Sequence, residues 1–179
     1  MTRWIALIVL VAASALAVSG TALGVSRYQQ DAQFKVVTAY FDGCVRGQWR
    51  EVEFAEESEI EGEGAVTLTG SGRLVRFENG VETVEYGQGI TYTGGTAWYQ
   101  VSVERAGTVS YRVLVDGDQL SFTGLSANGT ERILINGIEL GRQALGLNSA
   151  PLRYACEGDR LILTDAGYRS VLERVKLAP

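Results

Sequence analysis

From Trp49 onward, apolar and polar residues alternate with a period of two. In AWYQVSVER, Tyr99, Val101 and Val103 share one face, and Gln100, Ser102 and Glu104 share the other. In TVSYRVLV, Val109, Tyr111, Val113 and Val115 alternate with Ser110, Arg112 and Leu114. QLSFTG adds Leu120 and Phe122, and RLILT adds Leu161 and Leu163. Each run predicts a strand with β-branched and aromatic residues on its apolar face. Between the runs stand Asn79-Gly80, Asp116-Gly117, Asn128-Gly129 and Asn136-Gly137, with Gly94-Gly95 and Gly158-Asp159 as weaker signals. Such dipeptides accept the positive φ of tight hairpin turns. The stretch 138–150, IELGRQALGLNSA, fits neither period.

The strands follow one another without a helical pattern long enough for a parallel crossover. The expected fold is all-β, an antiparallel up-and-down meander of about eight to ten strands over residues 44–179. So many sequential strands must protect their edges, and closure into a barrel does so.

Two segments ahead of this array have other periods. Residues 26–43, SRYQQDAQFKVVTAYFDG, repeat apolar residues every three to four positions, which predicts a short amphipathic helix stopping at Gly43. It either lies on the domain beneath it or serves as a stalk or partner-binding helix. Trp4 to Val25 runs 22 residues without a charge. As a helix it spans roughly 33 Å, enough for a hydrocarbon core of ~30 Å. Residues 1–25 therefore form a transmembrane anchor or, given the small-residue signals around Ala13 to Ala17, a cleaved signal peptide. Either reading exports the remainder. The domain would stand on the extracytoplasmic side of the cell membrane as a single-pass protein, or be secreted if the leader is cut.

Composition narrows the chemistry. The chain has 22 glycines, 2 prolines and no histidine. Lack of histidine excludes a Ser-His-Asp triad, a Cys-His pair, the usual zinc sets and His-ligated haem. No phosphate-cradling glycine loop is present, so neither catalysis nor a cofactor is expected. A formal charge of −5 gives no electrostatic case for nucleic acid. The segment EVEFAEESEIEGEG, 51–64, places Glu51, Glu53, Glu57, Glu59, Glu61 and Glu63 on alternate positions. A solvated outer strand face, a docking or cation surface, and a glycosidase-like carboxylate pair are the three readings, with the solvated face expected.

A family resemblance enters at the two ends of the array. Gly47-Gln48-Trp49 before the first strand resembles the Gly-Xaa-Trp opening of lipocalins and the wider calycin group. YACEGDRLILTDAGYRSVLERV, 154–175, is similar to the close of bacterial lipocalin-like domains. The resemblance covers roughly residues 47–176 and implies that Trp49 plugs the base of the barrel, with Arg174 lying across its ring. Stacking of this kind is worth ~0.5–2 kcal/mol when desolvated.

Closure of such a barrel brings Cys44, before the first strand, to Cys156, on a penultimate one. An exported chain with two cysteines usually pairs them. The alternative, a reactive thiol, needs a nearby cation or base, and only Arg46 is close in sequence.

Two functions follow. As a binding module, the barrel holds an apolar small molecule or lipid, with Trp98, Tyr99, Tyr111 and Phe122 as candidate contacts. As an accessory or assembly subunit, a solid barrel docks another envelope protein while the N-terminal helix holds the membrane.

Overall fold

The computed structural model describes residues 43–60 and 64–176. The hydrophobic segment expected over 1–25 and, but for Gly43, the helix expected over 26–43 lie outside the described residues. The ten strands are β1 (Gly47–Ile60), β2 (Gly64–Gly70), β3 (Leu74–Glu78), β4 (Val81–Gly95), β5 (Gln100–Asp116), β6 (Gln119–Ile135), β7 (Ile138–Ala144), β8 (Leu152–Glu157), β9 (Arg160–Asp165) and β10 (Tyr168–Arg174). All pairings are antiparallel. No helix occurs among the described residues.

The meander closes into a barrel-like ring. Hydrogen bonding runs from β1 through β3, β4, β5, β6, β8, β9 and β10 and back to β1. β2 and β3 share one position beside the long β1. β2 pairs with its C-terminal half and β3 with its first four residues, and 71–73 interrupt the two. β7 and β8 share the position beside β6 in the same way, with 145–151 between them. The β6–β8 seam is the slightest in the ring, at two residue pairs, Gln119 with Arg153 and Leu120 with Leu152.

Alternation assigns the faces. Val101, Val103, Val109, Tyr111, Val113 and Val115 of β5 are all buried, as are Leu120 and Phe122 of β6 and Leu161 and Leu163 of β9. At the end of the ring where β1 begins, Trp49, Val75, Phe77, Val113, Leu120 and Leu172 fill the interior. Each contributes roughly 1.5–3 kcal/mol by leaving water.

Asn79-Gly80 and Asn136-Gly137 are two-residue turns with positive φ at both positions, 52° and 74°, and 50° and 81°. Asn128-Gly129 is not a turn. It lies inside β6, where Gly129 faces Gly107 of β5. A Cβ on either glycine would run into the backbone of the facing strand. This glycine pair permits close approach, a role that the same dipeptide does not distinguish from a turn.

The unplaced stretch 138–150 becomes β7 and the segment after it. Every residue of β7 is exposed, and Leu145 then turns into the interior.

Candidate binding site

The floor is built from the residues just before and within β1. The Trp49 indole is fully buried, and its Nε1 donates to the Val45 carbonyl at 2.9 Å. The Arg174 guanidinium lies 4.1 Å from the Trp49 ring centroid. It donates through Nη1 to the Arg46 carbonyl at 2.7 Å and through Nη2 to the Cys44 carbonyl at 3.0 Å. Gly47 has φ 135°, and a Cβ there would meet Arg174 Nη1 at 2.6 Å. The positive φ favours glycine, and any Cβ would push the Arg174 guanidinium from its place. Cys44 and Cys156 form a disulfide with Cα atoms 6.0 Å apart, tying the lead-in of β1 to β8.

Above the floor the interior becomes polar, because two irregularities face each other. The β1–β10 register shifts between Glu51 and Glu53, and opposite it residues 71–73 break β2 from β3. Glu51 N donates to the Arg73 carbonyl at 2.9 Å, and Gly72 N to the Glu51 carbonyl at 3.0 Å. The expected solvated face that included Glu51 is therefore broken. A bulge shifts side-chain phase by one, and Glu51 is only 1 % exposed while Glu53 remains outside. Glu61 and Glu63 lie outside the described residues.

The inward Glu51 carboxylate is almost fully partnered. Arg73 Nε lies 2.8 Å from Oε1, an ion pair whose angle is not that of a hydrogen bond. Ser170 Oγ donates to Oε1 at 2.9 Å and Tyr92 OH to Oε2 at 3.0 Å. Arg73 Nη2 donates to Tyr168 OH at 2.6 Å and to Ser170 Oγ at 3.3 Å. Burial opposes the charge on Arg73, yet the fields of Tyr168 and Glu51 hold it well above the usual guanidinium range. Burial in turn pushes the Tyr92 phenol far above its ordinary value.

Glu82 of β4 is different. It is buried, faces the same interior, and receives no hydrogen bond or ion pair from any described residue. Burial pushes its carboxyl up to about 7, against the opposing pull of Arg73. The folded chain holds this proton up to about pH 7, while an unfolded glutamate releases it near 4.5. Between those values the folded state binds more protons, so its stability falls as pH rises. Glu82→Gln should therefore be stabilising by about 3 kcal/mol at pH 8 and close to neutral at pH 4.5, since 1.36 kcal/mol accompanies each pKa unit. Urea midpoints of both proteins across this range would check it. A constant difference at all pH values would refute it.

A cleft of about 410 Å³ opens over this band. Its walls are Phe54, Tyr86, Val109, Tyr111, Phe122 and Leu145. Tyr111 and Phe122 meet edge to face, with centroids 5.9 Å apart. The 145–151 segment flanks the cleft: Leu145 N donates to the Gly129 carbonyl at 3.2 Å, and Asn148 N to Tyr111 OH at 3.2 Å. Higher on the wall, Arg105 is held by Glu131 at 2.7 Å and by Glu56 at 3.3 Å. Gln143 Nε2 donates to the other Glu131 oxygen at 2.8 Å.

Of the four aromatics expected to touch a ligand, Tyr111 and Phe122 line this cleft. Trp98 stands 89 % exposed in the 96–99 connection between β4 and β5, and Tyr99 packs half-buried on the core away from the lining. Sequence reasoning named Glu51 but placed it on a solvated outer face, and it missed Arg73, Glu82, Tyr86, Tyr168 and Ser170. Only Glu82 left a trace: in VETVEY it falls in phase with Val84 and Tyr86, though the opposite face, with Val81, Thr83 and Glu85, reads almost as well. The chain matches no protein-family model, no curated protein and no solved structure.

Proposed function

We propose that this protein is an exported, membrane-anchored lipocalin-like barrel of the cell envelope that binds a small molecule with an apolar body and performs no catalysis. The observation carrying this reading is the contrast between the two ends of the ring. One end is filled and sealed by Trp49 beneath Arg174. The other holds a cleft of about 410 Å³, within the range of roughly 300–1,000 Å³ typical of small-molecule sites. Its walls are aromatic and aliphatic with a few convergent polar groups, the usual composition of such a site.

Native mass spectrometry of the full-length protein, taken from its own membrane and released from detergent in the gas phase, tests this. A one-to-one adduct of small mass is expected in the wild type. Val109→Trp, which fills the cleft from its wall, should lose it. A wild type that carries nothing and takes up no apolar probe would overturn the reading.

A solid docking module is the second reading, and β7 favours it. That strand pairs only with β6 among the described residues, and it exposes Ile138 and Leu140 at 69 % and 63 %. An unpaired edge with apolar side chains is a template for another chain.

A further inference from the structure

We infer that the cleft takes a cationic amphiphile: an amine whose ammonium lies against the Glu82 carboxylate and whose apolar body runs outward along Tyr111, Phe122 and Val109. This inference rests on the binding reading above and gives it a ligand chemistry. Three observations converge on it.

The first is Glu82 itself, which is 7 % exposed, lines the cleft, and has no hydrogen-bonding or ion-pairing partner among the described residues. A buried carboxyl without a partner is costly to ionise, and a cation arriving from the cleft removes that cost. The rise of its pKa toward 7 fits a group that awaits such a partner.

The second is the state of the two cations on the lining. A fatty-acid or phosphate head would need a guanidinium to receive it. Arg73 is already committed to Glu51, Tyr168 and Ser170, and Arg105 is held between Glu56 and Glu131. An anionic head would have to share a guanidinium whose charge these carboxylates already offset.

The third is charge and surface. The lining carries five acids, Glu56, Glu57, Glu82, Glu131 and Asp165, against those two arginines. This excess repels anions and attracts cations entering the mouth. Tyr111 faces Glu82 across the β4–β5 pairing, and Tyr86 and Phe122 lie on the same lining; such aromatic rings favour an ammonium over a neutral head.

The test compares octylamine, octanol and octanoate, which share one apolar body and differ in head charge. Binding to the full-length protein in lipid nanodiscs is measured by calorimetry at pH 8, with empty nanodiscs subtracted. Octylamine is expected to bind about tenfold or more tightly than octanol, as a charge-assisted hydrogen bond would give. Octanoate should be weakest. Glu82→Gln, which keeps the shape and is expected to fold at least as well as the wild type, should cut octylamine affinity about tenfold while leaving octanol unchanged.

Octanoate binding as tightly as octylamine would overturn the inference while leaving the binding function intact. An unchanged octylamine affinity in Glu82→Gln would do the same, since the head would then be held elsewhere. Binding of none of the three above the nanodisc background would overturn both readings together.

Discussion

Arg73→Met is expected to destabilise the protein by about 3–5 kcal/mol, the range for removing one partner of a buried ion pair. The charge left behind decides the size. Glu51 is 1 % exposed, so without Arg73 its carboxylate would sit uncompensated in the interior. Ser170 and Tyr92 would still donate to it, but two neutral donors do not replace a cation at 2.8 Å. A stranded buried charge lowers stability whether the site stays dry or draws water in.

The double variant Arg73→Met/Glu51→Gln removes the charge on both sides, and the amide can still accept from one of the Ser170 and Tyr92 hydroxyls while its NH2 donates to the other. It should return to within about 1 kcal/mol of the wild type, because replacing a whole buried pair is often neutral. A urea-denaturation cycle over the four proteins reads the coupling directly. If the double variant were as unstable as the single one, the damage would lie in the shape of the 71–73 break and not in stranded charge.

This pair also shows where reading the sequence stops. Strands with one buried face write their phase into the chain, so the inward residues of β5, β6 and β9 follow from alternation alone. The two Asn-Gly turns at 79–80 and 136–137 are equally plain, because few other residues accept positive φ at both positions. Bulges carry no such signature. Glu51 looks like one more member of an acidic outer face, but it shares the inward phase of Trp49, and the shift of one residue after it is what leaves Glu53 outside. Arg73, in a Ser-Gly-Arg stretch between two strands, reads as part of a turn.

β7 was illegible for the opposite reason. Neither of its faces is buried, so no period was imposed on Ile138 and Leu140. Asn128-Gly129 misled because a glycine needed for close approach and a glycine needed for a turn look the same in one dimension. The site inherits these limits. Tyr111 and Phe122 lie on regular stretches and were visible as aromatics in phase. Trp98 was also visible as an aromatic, but it sits in a connection, where alternation ceases to say which way a side chain points. Glu82 hid in a strand whose two faces have nearly the same composition.

Opening the disulfide by Cys44→Ala/Cys156→Ala is expected to lower stability by about 4–5 kcal/mol, the loop-entropy value for a bridge of this span. The bridge joins residues 112 apart in sequence. It spans β9 and β10 at the floor end and holds β8, whose bond to β6 is the two-pair seam. That seam would otherwise be the first part of the ring to open, and a cross-link there limits how far β8 can drift. The backbone at the floor does not rest on the sulfurs alone, however. Arg174 binds the Cys44 and Arg46 carbonyls, and Trp49 binds that of Val45. The variant should therefore keep its native near-ultraviolet circular dichroism, while its denaturation midpoint falls and its unfolded state expands, raising the urea m-value. A loss of the native spectrum would show that the bridge shapes the floor itself. A loss under 1 kcal/mol would show that the hydrogen bonds of Arg174 suffice to close the ring, and that the bridge contributes little to the fold it ties.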